Sequence, residues 1–175
     1  MEQEIEELPQ KSKIKKFFIL VIGLILVFLV STYYLFAFGA DDVLAGFIQS
    51  SKIDNKLTLE FKDKKIIFTE ESYGELLKIY DKNLEVEFKA CLHGDIKNNI
   101  YNITKIIVPK TYSQTYRSVR AEPCNKKTLI DLHSHPFKRC LASIHDITNF
   151  RRLKSLNEDI LLSVMCERDR FFIYG

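Results

Sequence analysis

Leu132-His133-Ser134-His135-Pro136 is the stretch of this chain where residue type and spacing point most directly to chemistry. In an extended strand the side chains at i and i+2 lie on one face, so His133 and His135 can grip a single metal ion. Asp146 follows eleven residues after His135. Two imidazoles and one carboxylate leave a tetrahedral Zn²⁺ with its fourth position open to water, the pattern of a catalytic site. Ser143 lies one helical turn before Asp146, where its hydroxyl can donate to an oxyanion or cap the helix N-terminus. With 4 His, 11 Ser and 10 Asp in 175 residues, these four fixed positions would coincide by chance with a probability of about 3 in 10,000.

The elements that must position these residues read as alternating strands and helices. Leu57 to Phe61 and Lys65 to Phe68 are short β-rich runs around Lys62-Asp63-Lys64, the pattern of a hairpin. Thr69 to Lys82, with Glu70 and Glu71 early and Leu76, Leu77, Ile79 and Tyr80 on one face, predicts a helix capped by Thr69. Leu84 to Leu92 predicts a strand ending at Gly94-Asp95, and Ile100 to Val108 another ending at Pro109. The polar stretch from Lys110 to Lys127 reads as a long surface loop, and long ordered loops are often functional. A strand from Leu129 to His133, a helix from Ser143 to Leu156, and strands at Ile160 to Met165 and Phe171 to Tyr174 complete a mixed α/β sheet with helices packed on it.

His133-Ser134-His135-Pro136, Ser143 and Asp146 resemble the HSHP-x6-S-x2-D signature of the JAB/MPN (JAMM) zinc metalloproteases, from about Leu57 to the C-terminus. The family carries a glutamate on an earlier strand, seven residues before a glycine, that acts on the zinc-bound water. Glu87, seven residues before Gly94, matches it. Glu85 is a rival on the same strand face, and the spacing selects Glu87. The resemblance implies a cytidine-deaminase-like α/β sandwich, an α+β fold. It also implies one Zn²⁺ per chain on His133, His135 and Asp146, with Glu87 as general base and acid and Ser143 as oxyanion donor.

The activity implied is hydrolysis of peptide or isopeptide bonds at the tails of ubiquitin-like or sulfur-carrier proteins. In that reading the loop with Tyr112, Tyr116, Arg117 and Arg120 would be a flap over the tail, or else a solvated connection. Ala142 stands where many members have Pro before the serine. The short connection from Leu156 to Ile160 lacks room for a second zinc-binding insertion, as in minimal archaeal or bacterial types. His145 points about 100° away from Asp146 on a helix and is expected to face solvent. Two other readings stay open: an extracytoplasmic peptidase with no ubiquitin-like partner, and a non-catalytic interaction module with the MPN fold.

The cysteines, Cys91, Cys124, Cys140 and Cys166, are too widely spaced for a zinc knuckle. Some prokaryotic family members join the places of Cys140 and Cys166 by a disulfide, so the resemblance implies that pair here. Such a bond contributes about 3 kcal/mol and persists best outside the cytosol. Cys91 reads as a small core residue, and Cys124 has no assignment.

Phe17 to Ala40 contains no charged residue and is long enough to cross about 30 Å of hydrocarbon as a helix. The domain organisation expected is therefore a polar tail over 1–16, a transmembrane helix over 17–40, a linker over 41–56 and the metalloprotease domain over 57–175. A cleaved signal peptide is the alternative, but the apolar run exceeds the roughly 7 to 15 residues of a signal core, and Tyr33 and Tyr34 suit a membrane interface. Lys11, Lys13, Lys15 and Lys16 precede the span, and only Lys52 and Lys56 follow closely, which favours a cytoplasmic N-terminus and the domain outside. The expected partners are thus a membrane and a protein or peptide substrate. The 26 Lys and Arg are interspersed with 23 Asp and Glu for a net charge of +3, so nucleic-acid binding gains no support.

Overall fold

The computed structural model describes residues 10–37 and 40–175. The chain divides into two compact units, Met1–Asp41 and Asp42–Gly175. The first carries helix α1 (Gln10–Ala37), within which Ile14–Leu35 is long and apolar enough to span a bilayer. The Thr32 hydroxyl inside this stretch donates to the carbonyls of Phe28 and Leu29, so it brings no unpaired polar group into the span. Part of the expected 17–40 span, residues 38 and 39, lies outside the described residues.

The stretch expected as a linker holds two elements, helix α2 (Ala40–Gln49) and the short strand β1 (Ser51–Lys52). Strands β2 (Thr58–Phe61) and β3 (Lys64–Phe68) form the expected hairpin. Helix α3 (Glu70–Lys82) follows, and the Thr69 side chain accepts the Ser72 N–H as its N-cap. Then come β4 (Lys89–Lys97), β5 (Ile100–Ile107), β6 (Thr111–Gln114), β7 (Val119–Ala121), β8 (Thr128–Ser134), α4 (Ile144–Lys154), β9 (Leu161–Glu167) and β10 (Arg170–Tyr174). Eight strands form one mixed sheet in the order β1-β10-β9-β8-β4-β5-β3-β2, in which β8 runs parallel to β9 and β3 parallel to β5.

Three expectations are corrected. Strand β4 begins at Lys89 rather than Leu84, because residues 84–86 turn away from the end of α3. It also runs on past Gly94, where the pairing to β5 shifts register. A Cβ at Gly94 would stand 1.7 Å from the Asn102 carbonyl oxygen, so the glycine marks a bulge and not a strand end. The reversal comes later, at Asn98 and Asn99, both in the left-handed conformation that a two-residue hairpin turn requires. Finally, the loop expected over Lys110 to Lys127 contains the separate two-stranded ladder β6-β7.

Alternation along the strands divides the two faces of the sheet. Ala90, Leu92, Ile130, Leu132, Leu161 and Met165 join Leu76 of α3 in the main core. Their neighbours point the other way: Leu162 packs with Ile160 and with Phe150 of α4 in a smaller cluster. By the same alternation Lys89, Asp131 and His133 lie on the α4 face, at the C-terminal end of β8.

Candidate metal centre

The ends of two adjacent central strands, β8 and β4, and one helix start converge at the C-terminal end of β8. His133 is in the strand and His135 just beyond it, and the His135 N–H is fixed to the Met165 carbonyl of β9. The chain then doubles back through Phe137 and Lys138, both at positive φ, and enters α4 at Ser143. There the Ser143 hydroxyl accepts the Asp146 N–H, and the Asp146 carboxylate accepts the Ser143 N–H at 2.7 Å, a reciprocal capping box. The box turns the Asp146 carboxylate back toward the strand end. Ser143 is thus the helix cap, and because its oxygen accepts in that role its hydroxyl hydrogen is left to donate.

The three expected ligand atoms meet. His133 Nε2 is 3.1 Å from His135 Nε2, and Asp146 Oδ2 is 3.3 Å and 3.7 Å from the two nitrogens. Ligands bound tetrahedrally at about 2.0–2.1 Å are separated by about 3.3–3.4 Å, so this triangle fits one ion of zinc's size at its centre. Among the described residues His133, His135 and Asp146 form the cluster able to hold a metal ion. Glu87 stands at its side, with Oε1 3.7 Å from His135 Nε2. Glu85 is exposed whereas Glu87 is buried, and His145 is exposed as expected.

The ring of His135 is oriented by its other nitrogen. Nδ1 lies 3.1 Å from the Arg139 carbonyl, which can only accept, so Nδ1 carries the hydrogen and Nε2 presents its lone pair to the cluster. Burial, then the neighbouring His133, pushes the pKa of His135 down to about 4, which keeps the ring neutral. Burial opposes ionisation of Asp146, but the hydrogen bond and charge of His133 and the bonds from Ser143 outweigh it, holding the carboxyl below the usual range. Glu87 goes the other way. Burial pushes it up to about 7, with His133 acting to lower it and Asp146 to raise it. Two carboxylates on one site thus have opposite characters, one an obligate anion and one poised to exchange a proton near neutrality.

Several supports were not legible in the sequence. Glu87 precedes the β4 ladder, and its backbone is held from outside: its N–H donates to the Thr115 carbonyl at 2.8 Å and its carbonyl accepts from Gln114 Nε2 at 3.1 Å. Next to it, Phe88 N–H donates to Ser134 Oγ and Phe88 O accepts from Ser134 N–H. Ser134, between the two histidines, therefore ties the glutamate's segment to the ligand strand. Lys89 and Asp131 form a largely buried ion pair, with Nζ 3.0 Å from Oδ1. The Cys140–Cys166 disulfide is present and staples the loop between the ligands to β9. Cys91 is not a free core residue, since it is bonded to Cys124 and pins the chain after β7 to β4. Nothing in the spacing signalled that pair, whose partners are 33 residues apart and meet only through the β6-β7 excursion.

The site opens into a cleft of about 920 Å³, bounded by the β6-β7 tip on one side and the loop into α4 on the other. No known protein-family profile and no curated protein matches the chain.

Proposed function

We propose that this chain is a membrane-anchored zinc metallopeptidase of the JAB/MPN (JAMM) type that hydrolyses peptide or isopeptide bonds. The observation that carries the reading is the Nε2–Nε2–Oδ2 triangle of metal-ligand size with a buried carboxylate beside it. A zinc ion held by His133, His135 and Asp146 would supply Lewis acidity toward the amide carbonyl and acidify a bound water. One carboxylate oxygen of Glu87 would accept a proton from that water while the water oxygen attacks the carbonyl carbon. The same oxygen of Glu87 then passes that proton to the nitrogen as the C–N bond breaks, so the amine leaves neutral. The Ser143 hydroxyl donates to the oxygen on which negative charge develops, a contribution worth about 10² to 10³ in rate.

Glu87 also argues against a non-catalytic module. A buried carboxyl whose ionisation burial opposes is a cost that a binding surface has no use for, whereas a general base near neutrality needs it. The two disulfides favour the domain on the oxidising side of the membrane, in line with the four lysines before the span. Extracytoplasmic proteins or peptides are then the substrates. A ubiquitin-like tail is the substrate only if the domain faces the cytosol.

The test is hydrolysis of a randomised, internally quenched peptide pool by the full chain in neutral detergent. Cleavage should require zinc, stop with a chelator and be absent from Glu87→Gln; equal rates for Glu87→Gln and the unmodified chain would refute the reading.

A further inference from the structure

The charges lining the cleft do not balance once those with assigned tasks are set aside. Lys89 and Asp131 neutralise each other at 3.0 Å. Glu87 and Asp146 face the two histidines, and a divalent ion there offsets them. Three arginines remain, Arg117 and Arg120 on the hairpin wall and Arg139 on the opposing loop. Arg139 is already committed to the site, since its carbonyl orients His135 and its charge acts on Glu87. Neither Arg117 nor Arg120 has an acidic side chain within ion-pair distance among the described residues, and both are exposed to the cleft.

The hairpin tip presents these two side chains in a defined place. The turn closes with the Thr115 N–H donating to the Ser118 carbonyl, and Arg120 sits in the β7 rung opposite Ser113. The Tyr116 ring meets the Phe137 ring edge-on at 6.5 Å, so the tip touches the ligand loop. The Arg117 guanidinium lies 5.2 Å above the same Tyr116 ring, which orients it. A guanidinium so held offers carboxylates a planar fork of donors.

We propose that the cleft selects substrates with acidic side chains flanking the bond to be cut, and that Arg117 and Arg120 are the residues that impose this preference. The proposal rests on the peptidase reading and names its substrate class. A polypeptide fits the site better than an anionic bilayer, because the two arginines line a concavity shared with the histidines rather than a flat face.

The experiment uses the full-length Glu87→Gln protein, zinc-loaded and immobilised in neutral detergent, which binds without cleaving. A randomised peptide pool is passed over it and the retained peptides are sequenced by mass spectrometry. Asp and Glu should be enriched about tenfold over Lys and Arg at roughly 50 mM salt, and the bias should fade at about 0.5 M as screening grows. Adding Arg117→Ala with Arg120→Ala should bring the enrichment to within about twofold of none, whereas the Arg117→Lys, Arg120→Lys pair, which keeps the charge and loses the fork, should retain a reduced enrichment of about threefold to fivefold, with thermal melting confirming that each variant folds. No enrichment in the parent, or enrichment that survives the alanine pair, would overturn the proposal. So would displacement of retained peptides by phosphatidylglycerol mixed into the detergent micelles but not by phosphatidylcholine, which would assign the arginines to lipid. Hydrolysis by the unmodified chain without charge preference would remove this inference alone, whereas charge preference with no hydrolysis by the unmodified chain would remove the peptidase reading and leave Arg117 and Arg120 as a site for acidic peptides.

Discussion

The two walls of the cleft are built differently. The wall that carries the ligands comes from the end of β8 and the start of α4, closed by a capping box, a disulfide to β9 and a backbone bond to each histidine's segment. The opposite wall is the β6-β7 hairpin, exposed along most of its length, fastened at its root by Cys91–Cys124 and joined to the site through the backbone of Glu87. On the proposed reading, strand and helix ends hold the metal ligands, and an excursion from the sheet carries the two arginines proposed to meet substrate. Loss of a metal ligand on the first wall should therefore abolish metal and rate together, whereas a loss on the second should change substrate choice or the placement of Glu87 and leave the metal in place.

The largest expected effect is on the ligand wall. His133→Ala or Asp146→Ala should lower zinc from about one per chain to background and abolish hydrolysis, as measured by elemental analysis and the peptide assay. Glu87→Gln should retain zinc and lose roughly 10² to 10⁴ in rate, because only proton transfer is removed. Ser143→Ala should cost about 10² in kcat and also about 1 kcal/mol of stability through the lost cap. A stability loss with unchanged kcat would leave Ser143 as the cap alone.

The smaller effects concern stability. Replacing Cys91 and Cys124 together by Ala should cost about 3 to 4 kcal/mol in denaturant unfolding while zinc content stays near one per chain. Loss of zinc in that variant would break the separation between the walls. Glu87 has a further signature in metal-free protein. Its folded pKa of about 7 is raised above the ordinary 4.5. The stability that its neutral form contributes is therefore fully present below pH 4.5 and is lost as pH rises through 7. Urea melts with chelator present should show Glu87→Gln more stable than the unmodified chain at pH 8 by up to about 3 kcal/mol, and the advantage should vanish near pH 4.5. A constant difference across that range would remove burial as the cause of the shift.

The ligand wall was legible in the sequence because its parts are local. His133 and His135 stand two residues apart across the end of β8, Ser143 and Asp146 span the first turn of α4, and each pair is set by a short spacing in the sequence. The helix of Thr69 to Lys82 and the hairpin around Lys62 were legible for the same reason. The second wall was not. Residues 110–127 lack apolar alternation because β6 and β7 pair only with each other and bury almost nothing, so the periodic signal that marks a strand is missing there. Glu87 was placed by its distance from Gly94, yet that glycine serves a bulge against Asn102, and the strand starts two residues after the glutamate rather than before it. The Lys89–Asp131 pair and the Ser134 bridge to Phe88 join β4 to β8, a pairing that no local pattern encodes.

Zinc content of the purified full-length chain, set beside Asp146→Ala and Glu87→Gln, tests the central claim most directly. The proposed function predicts about one zinc in the unmodified chain and in Glu87→Gln, and none above background in Asp146→Ala. A chain that takes up no zinc, or that holds it equally well without Asp146, would contradict the assignment of the site.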